Sequence, residues 1–92
     1  MKPVLVTTSH RGVFFGQLDT DTQNEADKTL TLTNCRNVIK WTGTHGFLGL
    51  AHHGPEEGSR IGSPAPRVLL HDITSVTDCT EEATERFASW PE

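Results

Sequence analysis

Residues 28–41 read KTLTLTNCRNVIKW, and the first half of this stretch decides the fold class. Threonine and leucine alternate strictly from Thr29 to Thr33, so Leu30 and Leu32 point to one side and the threonines to the other. That is the period of a half-buried β-strand, and no helix can place Leu30 and Leu32 on one face while excluding Thr31 from it. Asn34 is a turn-prone residue. Beyond it Cys35, Asn37, Ile39 and Trp41 share one side of an extended chain, and Arg36, Val38 and Lys40 share the other. The reading is a second strand, 35–41, paired back on the first.

Working outward, residues 3–8 (PVLVTT) are short and β-branched, and residues 12–18 (GVFFGQL) follow the turn-like Ser9-His10-Arg11, which is a hairpin pattern. Residues 19–27 (DTDTQNEAD) carry no apolar periodicity and read as a solvated loop. Downstream, TGTHG at 42–46 is a glycine-bounded turn, and FLGLA at 47–51 reads as a short strand. SPAP at 63–66 is a stiff extended connector, because Pro64 and Pro66 lack an N–H and bias their predecessors to extended geometry. Residues 68–70 and 73–77 give one or two final strands interrupted at His71-Asp72. The closing TEEATERFASW predicts the one helix: Thr80 caps, Glu81 and Glu82 suit the positive first turn, Ala83, Phe87 and Trp90 recur on one face, and Pro91 stops it. Strands followed by a helix, without βαβ alternation, predict a mainly β (α+β) domain over residues 1–92. Its form is a compact antiparallel sheet or partial barrel of five to seven short strands with one C-terminal helix.

The totals bound the function. A chain of 92 residues buries only part of the surface its unfolded form exposes, which favours self-association. Eight Lys and Arg against twelve Asp and Glu give a net charge of −4, and without a basic stripe extended DNA or RNA is not an expected partner. Cys35 and Cys79 stand far apart in no CxxC arrangement and read as free thiols, mostly buried. The apolar run near the start is too short for a signal peptide and no stretch reaches membrane-spanning length, so a cytosolic protein is expected.

Chemistry concentrates in residues 54–62, GPEEGSRIG. Gly58 and Gly62 allow close approach of backbone N–H groups to a ligand, Ser59 adds a hydroxyl, and Arg60 a planar fork suited to phosphate or carboxylate. Neither the P-loop pattern nor a dinucleotide fingerprint is present. Arg11 and Arg36 are secondary anion contacts, and Trp41 or Phe15 is the candidate to stack on a base, the remaining aromatics being assigned to the core. His45, His52, His53 and His71 lack metal-ligand spacing, and His52 and His53 would face opposite sides of a strand, so neither metal nor cofactor is implied. A small phosphodiester or glycosidic hydrolase using a histidine with Asp72 or Glu57 is the weaker alternative, since no GxSxG elbow is present.

The elements RGVFFG, CRNVIKW, GFLGLAHHGPEEGSRIG and LHDITSVTDCTEEATERFASW together resemble a family of small proteins encoded by tailed phages and prophages, over nearly the whole chain. That family brings no established reaction with it. Phage origin implies a role against host defence, and sponge proteins, which sequester cyclic nucleotide signals between subunits, are similar in size and β-rich makeup. The expectation is a non-enzymatic homo-oligomer in the host cytoplasm that binds a small anionic ligand, a phosphorylated nucleotide. The alternative is a protein-interaction inhibitor or virion accessory protein using an exposed sheet face.

Overall fold

The computed structural model describes residues 1–9, 12–18 and 28–92. Arg11 and the solvated loop expected at residues 19–27 lie outside the described residues. The chain runs β1 (Lys2–Thr8), β2 (Val13–Leu18), β3 (Leu30–Lys40), α1 (Gly46–His53), β4 (Arg60–Ile61), β5 (Ala65–Leu70), β6 (Ile73–Asp78) and α2 (Glu81–Ser89). All strand pairs are antiparallel, in the order β4-β3-β2-β1-β6, with β5 also paired to β3. The expected antiparallel sheet with a C-terminal helix is the observed architecture.

β5 and β6 stand at opposite edges of this sheet, yet only His71 and Asp72 separate them in sequence. The sheet must therefore curl until its edges meet at that end. Two backbone bonds close the seam: Ser9 N–H donates to Asp72 O and Ile73 N–H to Lys28 O, both at 3.0 Å. The result is a partial barrel, which limits the exposed edge that an open sheet would present.

Curling gives the sheet two cores. Val4, Val6, Leu18, Leu30, Leu32, Cys35 and Leu70 pack together inside the curl. Leu5, Phe15, Val38 and Ile61 face outward and meet Leu50 and Ala51 of α1 with Ala83 and Phe87 of α2. β1 serves both, which is why its centre, Val4-Leu5-Val6, is apolar without alternation and has no residual exposure. Each such side chain stabilises the fold by about 1.5–3 kcal/mol relative to exposure.

Two local expectations are corrected. Residues 30–40 form one continuous strand rather than two strands joined at Asn34. Asn34 has φ 50° and marks a bulge. Gln17 pairs with Thr33 while Phe15 pairs with Arg36, so β3 carries one extra residue there. The insertion moves the buried positions from Leu30, Leu32 and Cys35 on the inner face to Arg36 and Val38 on the outer one. The mixed faces of 35–41 are the imprint of this switch.

Residues 46–53 are a helix, where a strand was expected over 47–51. A five-residue apolar run does not separate the two by periodicity. Packing decides: Phe47, Leu50 and Ala51, at i, i+3 and i+4, all meet the outer core. Gly54 then ends the helix at φ 82°, its N–H donating to Leu50 O at 2.8 Å.

SPAP is extended as expected, but β5 begins inside it at Ala65. Pro66 is tolerated because β5 is an edge strand. α2 starts as the sequence specifies, with Thr80 Oγ1 accepting from Ala83 N–H at 3.2 Å.

Candidate functional site

The GPEEGSRIG segment leaves α1, turns, and returns as β4 beside the end of β3. Pro55 is fully buried, which anchors the start of the segment. Gly58 takes φ 97°, a conformation that L side chains rarely adopt, and lets the chain reverse. Ser59 follows, buried at 8 % exposure. Its Oγ accepts from Thr42 N–H at 2.9 Å, and its N–H donates to Glu56 O at 3.1 Å. The hydroxyl therefore holds the β3–α1 connection in place.

Beyond this turn lies a cleft of about 600 Å³, walled by Gly58, Ser59, Arg60 and Gly62 on one side and by Trp90 and Pro91 on the other. Four of the expected site residues are thus brought together. Trp90 Nε1 donates to Ser59 O at 3.1 Å, which ties the end of α2 to the loop and fixes one wall of the cleft against the other. Arg60 is exposed along this wall. Glu57 and Glu92 also line the cleft, and Glu92 accepts from Ser63 Oγ at 3.1 Å. The hollow consequently holds carboxylates beside its guanidinium. Its amides are partly committed too, since Gly62 N–H donates to Asn37 O at 2.8 Å.

The other expected residues stand elsewhere. Arg36 is 4 % exposed. Its Nε donates to Gly62 O at 2.7 Å, Nη1 to Phe87 O and Trp90 O at 2.7 and 2.8 Å, and Nη2 to Ile61 O at 3.3 Å. This guanidinium braces the cleft from behind by joining β4 to the C-terminal end of α2. Phe15 is 3 % exposed and stacked on Phe87 with ring centroids 4.7 Å apart. Trp41 is 37 % exposed and meets Phe47 edge-on, and it is not among the residues that line the cleft. Trp90 is the aromatic the sequence reading did not place at a site. Its signal was available, a tryptophan directly before the proline that ends the last helix, where a ring projects past the helix terminus.

His71 and Asp72 form the β5–β6 link and do not line this cleft. Burial pushes the Cys35 thiol up to about 11. Burial, reinforced by the Asp78 carboxylate, pushes Cys79 up to about 12. Neither is a nucleophile at neutral pH. Among the described residues no helix is long and apolar enough to cross a membrane.

Fold and site together define a small curled-sheet protein with two helices on its outer face and a cleft where the last helix meets the β4 loop. The chain belongs to the family described as a domain of unknown function, DUF6948, whose model matches residues 1–87. Comparison with curated proteins and with solved structures finds no match.

Proposed function

We propose that the protein is a non-enzymatic binding protein that captures a phosphorylated nucleotide in the cleft between the Gly58–Gly62 loop and Trp90. The observation that carries this reading is that Arg60 and Trp90 line one hollow from opposite elements. A guanidinium suits a phosphate oxygen pair, and an indole face suits a base. The carboxylates of Glu57 and Glu92 are acceptors for ribose hydroxyls or exocyclic amines, so their presence favours a nucleotide over a bare inorganic anion. The cleft volume of about 600 Å³ falls within the range of small-molecule sites. Within the setting that the phage-family resemblance implies, the ligand is a cyclic nucleotide immune signal of the host, captured in the cytoplasm by a homo-oligomer that counteracts anti-phage defence.

Calorimetric titration with a panel of linear and cyclic nucleotides tests the proposal. Saturable binding that weakens at least about tenfold in Arg60→Ala supports it. Absence of binding across the panel, or unchanged affinity in Arg60→Ala, refutes it. Recovery of unaltered ligand after prolonged incubation separates binding from hydrolysis.

A second reading, a protein-interaction inhibitor or virion accessory protein, is favoured by a different observation. Leu69 on the edge strand β5 is 55 % exposed, and its pairing with Thr31 turns it away from the inner core, leaving an apolar side chain on the outer surface of the sheet edge. Retention of a host protein that is lost in Leu69→Lys, with no small molecule in the eluate, would favour it over nucleotide capture.

A further inference from the structure

The histidines of α1 form a second cluster outside that cleft. His45 stands at the residue just before the helix, with no capping hydrogen bond from its side chain, and His53 is the last helical residue, with Gly49 midway between them. Positions i, i+4 and i+8 follow one side of a helix. The two imidazoles come together along it, with ring centroids 4.8 Å apart and planes inclined at 39°. Gly49 makes this possible, because a Cβ there would overlap the Cβ of His45.

The second ring is held from outside the helix. His53 Nδ1 lies 3.1 Å from Glu82 Oε2 on α2. A carboxylate only accepts, so Nδ1 carries the proton and the Nε2 lone pair is left for another partner. Arg86 Nη1 donates to His53 O at 3.2 Å and Thr80 Oγ1 to His52 O, which fasten this end of α1 to α2.

We propose that His45 and His53 chelate a divalent transition-metal ion, with Glu82 orienting His53 from the outer shell. Two metal–nitrogen bonds of about 2.0–2.1 Å meeting at a tetrahedral angle place ring centroids about 5 Å apart, close to the observed spacing. The carboxylate–imidazole pair is the arrangement that fixes a metal-binding tautomer. Among the described residues no three of His, Cys, Asp and Glu converge as a closed site requires. The site is therefore an open one, its remaining positions taken by water from the hollow of about 480 Å³ that His45 and His53 line with Arg86. Glu56 and Glu57 line the same hollow beside Arg86, and it is the imidazole ligands that select zinc, nickel and above all copper over calcium and magnesium.

Zinc chloride titrated calorimetrically into the full chain near neutral pH, and copper followed by electron paramagnetic resonance, test the assignment. The expected result is one ion per chain, with copper bound more tightly than zinc and with nitrogen hyperfine structure. Affinity should fall at least about tenfold in His45→Ala and in His53→Ala. Gly49→Ala should lose binding although both imidazoles remain, and Glu82→Gln should weaken it about tenfold. Circular dichroism confirms that each variant is folded. No binding by the parent chain at about 100 μM metal would overturn the proposal. So would binding retained in the His45→Ala/His53→Ala double variant, or an equal loss in His71→Ala.

Discussion

Arg36 Nη1 donates to the carbonyl oxygen of Phe87 at 2.7 Å, from a side chain that is itself in the protein interior. The last carbonyls of a helix have no intrahelical partner and form the negative end of its dipole. A guanidinium placed there is compensated by backbone dipoles, and it satisfies the Ile61 and Gly62 carbonyls at the end of β4 at the same time. Arg36→Met should lower stability by about 3 kcal/mol, because carbonyls are left buried and unpaired. In a domain of this size that is a drop of more than about 10 °C in Tm. Arg36→Lys should recover only part of the loss, since an ammonium cannot reproduce the planar fork. Thermal and urea unfolding check both, and a loss under about 1 kcal/mol in Arg36→Met would remove the bracing role.

Asn34 makes the second test local. Its φ of 50° lies in the left-handed region, which asparagine tolerates and β-branched residues do not. Asn34→Val should cost about 1–2 kcal/mol, whereas Asn34→Gly should leave stability near the parent value. Equal unfolding midpoints for the two variants would show that the bulge does not depend on this backbone conformation.

The same residue explains where the sequence stops being legible. Alternation at Leu30 and Leu32 announces a strand, and Thr80, Ala83 and Phe87 announce α2, because each pattern is local and repeats at its own period. The bulge at Asn34 is not local. It exists because β3 must feed an inner core through Leu30, Leu32 and Cys35 and an outer core from Arg36 onward, and only β2 pairing reveals the extra residue. α1 was hidden for a related reason, since GFLGLAHH becomes helical through contacts of Phe47, Leu50 and Ala51 with residues distant in sequence. At the site, glycine and arginine mark the loop in the sequence. Its opposite wall comes from Trp90, thirty-one positions after Ser59, and the hydrogen bond that joins them is a tertiary fact.

Trp90 and Trp41 give the nucleotide proposal an optical test. Trp90 lines the cleft and Trp41 does not, and these are the two tryptophans of the chain. Nucleotide addition should quench the emission of Trp41→Phe, which retains only Trp90, and leave that of Trp90→Phe unchanged. The reverse pattern would move the stacking wall to the β3–α1 turn. Trp90→Phe should also lose about 1 kcal/mol of stability, the usual net contribution of a hydrogen bond such as that to Ser59 O.

The buried thiols give the fold a dependence on alkaline pH. Burial holds Cys35 at about 11 and Cys79 at about 12, against 9.0 for each in the unfolded chain. Both are therefore neutral in the native protein where the unfolded chain has begun to ionise them. Below about pH 8 the two states bind the same protons and stability is unaffected by these groups. As pH rises through about 9 the unfolded chain loses protons that the native one keeps, so stability declines progressively toward the native values. Urea midpoints measured from about pH 8 to 11 should fall over this interval in the parent, and fall less in Cys79→Ala. At neutral pH a thiol-specific disulfide reagent should modify Cys35 and Cys79 slowly in buffer and rapidly in denaturant, because access to a thiolate requires opening of the core. Rapid modification of Cys79 in the folded chain would mean that its thiol is not held neutral.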